Sequence, residues 1–497
     1  MKPQLEQPSP RANALGANAL GANALRTLAL ALCCAGVLSA CSVAPVYEVP
    51  STPAPASFKE AGALWQSAQP NDAMDRGEWW ALFGDAQLNQ LAAQVQVNNQ
   101  NIAAAAAAVA QAQAAVRVQQ AGLLPTVSGS LGQTRQGGSQ ASGSGSASLG
   151  INAAWDADVW GRLKESVSAA QSSAQASEAD LAAARLSAVG SLVQNYFRLR
   201  EADAELQILQ QSIEGYQRSL QITQNRYDSG IEARTAVLQA QTTLTNTQAS
   251  AESLRQSRQT YEHAIAVLTG QAPAQFDLPV APWRVTVPQV PGVVPSTLLE
   301  RRPDIASAER AVAAANAQIG IAQSAYYPSL SLSGSLGRTG SNLGDLFSAS
   351  GLLWSLGASI SQSIFNAGAT AAQVDSARAG HAAKTASYRQ TVLGAFQAVE
   401  DVLSNIAALN AQQPLLQQSL DSAEKVEQQM LNRYKEGQVQ YTDVVTAQAT
   451  ALNARRSLIQ LQLNQQLAAA QLIQELGGGW HAPWMQAPDA AALQPKP

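Results

Sequence analysis

Residues 161–227 read GRLKESVSAAQSSAQASEADLAAARLSAVGSLVQNYFRLREADAELQILQQSIEGYQRSLQITQNRY and contain no proline. A second stretch, residues 368–434, repeats its landmarks at a constant offset of 207 positions, including the terminal NRY. Gly230, three residues beyond the first stretch, returns as Gly437. The pattern predicts a tandem duplication in which each copy is built on one helix of about 65 residues, on the order of 100 Å long.

The composition favours thin helical walls over a thick globular core. Aromatic residues make up only 5% of the 497 residues, and much of the hydrophobic 46% is alanine, so few large side chains could fill a core. Alanine instead lets helices approach one another closely. The net charge of −4 and the lack of a run of Lys or Arg argue against nucleic acid as a partner.

The N-terminus has the features of an export signal. Within residues 1–40, an apolar run at 27–37 follows arginines and is too short to span a bilayer. The sequence LSAC that ends at Cys41 resembles a bacterial lipoprotein signal, which predicts cleavage before Cys41 and a covalent lipid on its thiol. In that resemblance Ser42 implies delivery to the outer membrane. A plain secretory signal cut nearby is the alternative.

Residues 41–85 are predicted to form a tether and the start of a waist region. The prolines at 45–55 favour an extended spacer that holds the body off the membrane, with ordered structure starting near Trp79. Asp85 stands at a helix N-cap position. Residues 87–121, which include six consecutive alanines, predict one continuous helix.

Each long helix is preceded by a predicted strand hairpin, at residues 126–159 and 329–365. In the first hairpin, a strand at 126–134 is followed by a Gly/Ser loop at 136–146. The later strand of each hairpin alternates apolar with polar or small residues, as transmembrane β-strands do. The apolar series are Leu149, Ile151, Ala153, Trp155, Ala157 and Val159, and Leu356, Ala358, Ile360 and Ile364.

Four such strands cannot close a barrel in a membrane. An open strand edge in lipid leaves backbone groups unpaired at several kcal/mol each. If the strands span the membrane, the barrel must be shared between subunits. The edge of a small soluble sandwich is the alternative.

A shorter helix is predicted to return beside each long helix, at residues 235–268 and 442–476. Glycine at the intervening turn suits a left-handed helix end. Pro414 interrupts the second long helix and predicts a kink that the first lacks. Coiled-coil spacing is shown by Leu206, Leu209, Ile213, Tyr216 and Leu220. The predicted divisions are repeat 1 at 86–270, an equatorial linker at 271–300, repeat 2 at 301–477 with its long helix at 368–434, and a C-terminal tail at 478–497.

Several motifs resemble the TolC-type outer-membrane efflux proteins, most closely their NodT-like lipoprotein branch, which serves RND drug pumps. The resemblance covers residues 41–479. The most specific motif is LLERRPDI at 298–305, followed by ANA at 315–317 and Gly320. Further matches are EWW at 78–80 with Phe83 and Asp85, WDADVWGR at 155–162, and Arg226-Tyr227 with Gly230.

The resemblance implies a mainly α protein with transmembrane β-strands. Three copies would close a 12-stranded β-barrel in the outer membrane, continued by a periplasmic α-helical barrel. The implied function is passive export of drugs or other small toxic compounds, delivered by an inner-membrane RND-type pump through a periplasmic adaptor. A type I protein-secretion duct and a non-conducting structural coiled-coil lipoprotein are the alternatives.

The resemblance also implies a constriction at the end of the helical barrel. Alignment on Tyr434 and Gly437 places its acidic residue at Asp443, where three symmetry-related carboxylates would restrict the pore. Where many relatives carry a second aspartate, this chain has Thr446. The Tyr434 hydroxyl could pair with Asp443, although packing is an equal alternative, and Asp443 could simply cap its helix.

The helix turns are predicted to contact the adaptor through Arg226, Tyr227, Gly230, Arg433, Lys435 and Gly437. Arg301 and Arg302 are predicted to pair with Glu300 and Asp304 at the waist. The three histidines lack metal-ligand spacing, so we expect no metal, no enzyme site and no cofactor apart from the lipid on Cys41. Asp156 and Asp158 are expected to line a wet barrel.

Overall fold

The computed structural model of the protein describes residues 43–52, 55, 57–60, 78–138, 141–288, 302–347 and 352–480. They form two compact units. The first contains residues 114–172 and 313–383 with the described residues before Val49, and the second contains the rest. The predicted signal, Cys41, Arg301 and the chain beyond 480 lie outside the described residues.

One four-stranded antiparallel sheet organises the first unit. Its strands pair in sequence order, so the two hairpins of the duplicated repeats meet at the middle of the sheet. The strands are β1 (Thr126–Gly138), β2 (Ala141–Ala157), β3 (Ser329–Gly340) and β4 (Leu352–Ser361). The outer edges of β1 and β4 have no partner strand among the residues that the structure describes.

The strand register places apolar side chains on one face of this sheet. Leu131 lies opposite Leu149, and Leu332 lies opposite Ala358. Leu356 is 82% exposed, so no residue that the structure describes covers the apolar face there. The other face carries hydroxyl groups, and the Oγ atoms of Ser335 and Ser355 lie 2.8 Å apart there.

The strand boundaries correct the sequence prediction in three places. Val159, predicted as part of the second strand, lies beyond the end of β2 at Ala157. The predicted Gly/Ser loop at 136–146 is wrong, because paired strand continues to Gly138 and resumes at Ala141. Glycine and serine have the backbone N–H and C=O groups that a ladder pairs, so they can extend a strand when a partner strand is present. Ile364, predicted as part of the last strand, lies beyond the end of β4 at Ser361.

Asp158 is not a lining residue of the sheet. Its carboxylate accepts hydrogen bonds from the backbone N–H groups of Leu163 and Lys164, at 3.0 and 2.8 Å, and so caps the first turn of the next helix. Asp156 does lie on the hydroxyl-bearing face, opposite Ser331.

Seven α-helices account for most of the residues that the structure describes. The two long ones, α3 and α6, end within one residue of the predicted positions, and α6 continues through Pro414 without interruption. Leu209, Ile213 and Tyr216 are buried against Leu244 as their spacing predicted. The helices are α1 (Ala86–Asn98), α2 (Gln100–Ala121), α3 (Arg162–Asp228), α4 (Arg234–Leu268), α5 (Pro303–Ser324), α6 (Ala369–Lys435) and α7 (Tyr441–Glu475).

The predicted continuous helix at 87–121 is wrong, because the chain breaks at Asn99 between α1 and α2. The Asn99 Oδ1 atom accepts from the N–H groups of Asn101 and Ile102, at 3.0 and 3.2 Å, which caps the start of α2. Its Nδ2 atom donates to the Leu268 carbonyl at the end of α4, at 2.9 Å. One side chain therefore joins two helix ends.

Repeat 2 makes the matching joint with charged groups. The Arg302 guanidinium donates to both the carbonyl and the carboxylate of Glu475 at the end of α7, at 3.0 and 2.6 Å. It also pairs with Asp304 at 2.7 Å, in the first turn of α5. Of the predicted anchors in the Arg-Arg-Pro-Asp motif, the pair of Arg302 with Asp304 is confirmed.

The second unit has its largest core at the waist. Trp79, Trp80 and Phe83 are buried against Tyr196 and other residues of α3. Asp85 caps α1 as predicted, accepting from the N–H groups of Gln87 and Leu88, and its other oxygen accepts from the Tyr196 hydroxyl at 2.7 Å. The described part of the equatorial linker has a short 3-10 helix at Pro273–Gln275 and no regular element from there to residue 288. Trp283 in this part donates to Gln466 at 2.9 Å.

The described residues of the N-terminal segment, at 43–52 and 57–60, make contacts with the rest of the protein, which corrects the prediction of a free spacer. In the first unit, Asn316 donates to the Pro45 carbonyl at 2.9 Å. In the second, the Glu400 carboxylate accepts from the backbone N–H groups of Lys59 and Glu60, at 2.7 and 2.9 Å. An extended proline-rich backbone has unsatisfied polar groups of its own, and these side chains satisfy them.

Glu201 is a buried carboxyl group on α3 that stands beside another acid. It is 6% exposed, and its Oε1 atom lacks a hydrogen-bond partner among the described residues. Burial, followed by the neighbouring Glu205, raises its pKa to about 7. Arg456 pairs with Glu205 at 2.5 Å and offsets the effect only in part. The folded protein therefore favours protonated Glu201.

We expect Glu201→Gln to raise thermal stability at pH 8 and to leave it nearly unchanged at pH 5. The folded pKa lies above the usual value of 4.5, so the wild type loses stability as pH rises from about 4.5 to 7, by at most about 3 kcal/mol per subunit. Glutamine mimics the protonated acid and removes this dependence. Melting followed by circular dichroism would measure it. Glu214→Gln, at an exposed position on the same helix, is the control; equal curves for both variants at pH 8 would contradict the prediction.

Candidate functional site at the helix turns

The two turns that join the long helices to the return helices share one backbone geometry. Gly230 and Gly437 have φ values of 72° and 75°, in the left-handed region that favours glycine. In each turn the N–H group after the glycine donates back to the arginine carbonyl five residues earlier, at 2.9 Å in both cases. The duplicated glycines therefore end α3 and α6 as predicted.

Tyr434, the last tyrosine of α6, is buried between the two helical hairpins. It is 1% exposed, and its ring packs edge-on against Tyr441, with centroids 5.3 Å apart. Ala236 and Ala240 of α4 complete the same apolar cluster. Packing is therefore the main role that the structure gives the ring of Tyr434.

Polar groups from repeat 1 surround the Tyr434 hydroxyl. This hydroxyl lies 3.1 Å from Thr223 Oγ1 and 3.3 Å from Glu232 Oε2. The Arg226 guanidinium lies over the ring, 4.9 Å from its centroid, and its Nε atom is 3.6 Å from Glu232. We call Thr223, Arg226, Glu232 and Tyr434 the Arg226–Tyr434 cluster.

The cluster holds a neutral tyrosine beside an ion pair. Burial raises the pKa of Tyr434 above its ordinary value, so its hydroxyl stays protonated and remains a donor. The side chains of Arg226 and Glu232 are only 20% and 18% exposed, so their attraction is poorly screened. Because Tyr434 belongs to repeat 2 and the other three residues to repeat 1, the cluster ties the two hairpins together.

Asp443 caps the return helix, the simpler of the two roles predicted for it. Its carboxylate accepts from the Gln440 N–H group at 3.3 Å, in a reciprocal capping box. It is exposed, and it does not contact Tyr434 within the chain. Thr446, one turn later, donates its hydroxyl to the Thr442 carbonyl at 2.9 Å.

A groove with a cavity volume of about 640 Å³ lies between α6 and α7 beside this turn. Asp443 and Arg433 line it together with Met430 and Val439. The groove therefore combines apolar side chains with one carboxylate and one guanidinium.

The predicted adaptor contacts divide into internal and exposed residues. Arg226 is turned inward in the cluster, whereas Tyr227 is 39% exposed and Lys435 is also exposed. Sequence reasoning missed Thr223 and Glu232. Divergence between the repeats was the available signal, because at the 207-residue offset Glu232 corresponds to Val439.

Comparison with known proteins identifies the architecture. A family model described as outer membrane efflux protein matches residues 91–271 and 294–478, once in each repeat. The chain is 31% identical to the cation efflux system protein CusC of Escherichia coli O6:H1, over 91% of this chain and 98% of that protein. It is 29% identical to the probable efflux pump outer membrane protein TtgC of Pseudomonas putida KT2440, over 92% and 96%. The solved outer-membrane channel OprN superposes with a TM-score of 0.82 at 29% identity, covering 88% of this chain and all of that one.

Glu232→Ala should loosen the turn between α3 and α4. The change leaves Arg226 partly buried without its counter-ion and removes an acceptor of the Tyr434 hydroxyl, at a cost of about 1–3 kcal/mol. Faster amide hydrogen exchange across residues 226–240 is the expected result. Glu436→Ala, which removes an exposed carboxylate from the other turn, should leave that exchange unchanged. Wild-type exchange in Glu232→Ala would show that the cluster does not hold the turn.

Proposed function

This chain belongs to the outer membrane efflux protein family, and we propose that it forms, as a homotrimer, the exit channel of a tripartite efflux system in the Gram-negative outer membrane. The sheet is the observation that carries this proposal. It has the amphipathic alternation of membrane strands, and its two edges have no partner strand in the described part of the chain. Three four-stranded sheets joined edge to edge give the 12-stranded barrel of the family.

The sheet also weighs against the rival coiled-coil lipoprotein without a pore. In a structural rod surrounded by water, a four-stranded sheet with an exposed apolar face would cause aggregation. The hydroxyl-bearing face instead suits a wet lumen, with Ser331, Ser333 and Ser335 along β3. That lumen has few charged groups along the strands, so the barrel itself selects little among solutes.

The channel depends on an inner-membrane pump and a periplasmic adaptor for energy and for the choice of substrate. The family is one of efflux channels and not of enzymes, and we propose that conduction is passive, with energy and substrate choice coming from an inner-membrane RND-type pump. The relatives are named for cation efflux and as part of a probable efflux pump, which supports small toxic solutes as the substrates here. No feature favours protein secretion.

We place the adaptor contact on the outer ends of the two turns. Gly230, Gly437 and Lys435 are exposed there, and a basic side chain on a helix end offers charge for an acidic partner surface. Arg226 belongs to the internal cluster and has little surface left for a partner.

We propose that three Asp443 carboxylates form the constriction. The side chain is exposed at the first turn of α7. Three carboxylates close to a three-fold axis would create a negative potential that attracts cations and excludes anions. Its capping bond to Gln440 holds the carboxylate in place.

Asp443→Ala should raise single-channel conductance in a planar bilayer and sensitise cells to large antibiotics such as vancomycin, because a ring of charge is lost. Asp421→Ala, an exposed acid on α6 about 20 Å before its end, is the control. Unchanged conductance and sensitivity, with the trimer intact and exported, would place the constriction elsewhere. A purified wild-type or Asp443→Ala trimer that never conducts would refute the channel itself.

Cys41→Ser should abolish incorporation of radioactive palmitate, because we propose that the Cys41 thiol carries the lipid. Cys34→Ser, seven residues earlier in the predicted signal, should still incorporate it. Palmitate label that persists in Cys41→Ser would show that the lipid is attached to another residue.

A further inference from the structure

The internal duplication makes the Arg226–Tyr434 cluster one half of a repeating pattern. At the offset of 207 positions, Arg226 corresponds to Arg433 and Tyr434 corresponds to Tyr227. The same two residue types therefore stand at both turns. Among the residues that the structure describes in one subunit, Arg226 of repeat 1 stacks on Tyr434 of repeat 2, and no matching contact joins Arg433 to Tyr227.

The second pair lacks partners within the subunit. The side chains of Arg433 and Tyr227 make no hydrogen bond or ion pair with any residue that the structure describes. Tyr227 is 39% exposed, whereas its counterpart Tyr434 is 1% exposed. Arg226 and Tyr434 thus pair with each other, whereas their counterparts Arg433 and Tyr227 have side chains that are available for another subunit.

The groove between α6 and α7 is the counterpart of the site that holds Tyr434. Five repeat 1 residues form that site, through contact with the ring or hydroxyl of Tyr434 or in its apolar cluster: Thr223, Arg226, Glu232, Ala236 and Ala240. Their counterparts at the 207-residue offset all line the groove: Met430, Arg433, Val439, Asp443 and Ala447. The groove therefore corresponds in position to the site that holds Tyr434, but it has no tyrosine among its lining residues.

We propose that this groove receives Tyr227 of the partner subunit, with the Arg433 guanidinium over its ring. The inference rests on the proposed homotrimer, in which six helical hairpins close a ring. Three joints of that ring lie within subunits and use the Arg226–Tyr434 cluster. The other three lie between subunits, and the site at each is incomplete without the partner.

The two kinds of joint differ in strength. At the joint between subunits, Thr223 is replaced by Met430 and Glu232 by Val439, so the ring hydroxyl loses both acceptors. Asp443 takes the place of Ala236 and is the remaining carboxylate among the lining residues. The cation–π contact is kept, while the ion pair that fixes Arg226 is lost. The circle of six helical hairpins therefore separates first at the contacts between subunits, beside Asp443.

Thiol cross-linking distinguishes a contact between subunits from a contact within one subunit. A short bismaleimide applied to cells expressing Tyr227→Cys with Arg433→Cys should convert the monomer band on a denaturing gel to dimer and trimer. The internal counterpart, Arg226→Cys with Tyr434→Cys, should cross-link without leaving the monomer position. Each single variant should stay monomeric on the gel.

Size-exclusion chromatography with light scattering, and bilayer conductance, should accompany each variant. If both double variants are conducting trimers and only the internal pair cross-links, the groove does not hold Tyr227 of the partner subunit, while the proposed channel stands. If the wild-type chain itself is not a trimer, both proposals fail together.

A substitution series gives a second readout that does not depend on cysteines. Tyr227→Ala should increase conductance, and Tyr227→Phe should not, because phenylalanine keeps the ring under Arg433. Equal conductance for Tyr227→Ala and the wild type, in intact trimers, would overturn the assignment.

Discussion

Backbone hydrogen bonding in hydrocarbon is the constraint on which the rest of this protein depends. The sheet satisfies the polar groups between its four strands and leaves the outer edges of β1 and β4 open. Water could hydrate such edges, but lipid cannot, so each edge requires the opposite edge of another copy. Sheet closure thereby fixes a symmetric assembly, and the symmetry brings the helical hairpins of different subunits side by side.

Duplication supplied two similar hairpins, and substitution at few positions made their contacts unequal. Where repeat 1 has a carboxylate and a hydroxyl, at Glu232 and Thr223, repeat 2 has the apolar residues Val439 and Met430. The joint inside the subunit is consequently an ion pair with a buried tyrosine, and its counterpart is a groove. In the proposed trimer, strong contacts within a subunit beside weaker ones between subunits would let rigid hairpins move apart without unfolding.

Periodic features of this fold could be predicted from sequence, whereas features set by distant partners could not. The ends of α3 and α6 and the apolar face of β2 follow from local patterns and were predicted closely. The break at Asn99 was missed because its decisive partner, the Leu268 carbonyl, lies 169 residues away. For the same reason the sequence predicted the tyrosine at the turn but not the acceptors around its hydroxyl. The docking of Lys59 and Glu60 on Glu400 depends on a separation of more than 300 residues.

The joints between consecutive helix ends bear on how such a chain can change its length during evolution. Asn99 and Arg302 each connect two helix ends through side-chain bonds, so no continuous helical ladder crosses either joint. A residue inserted into an unbroken helix rotates everything after it by about 100° and misplaces its apolar stripe. At these joints the rotation can be absorbed, because side-chain bonds and not a continuous helical ladder connect the two sides. Helices on either side can therefore gain or lose turns separately, which lets one architecture adapt its reach without redesigning every packed face.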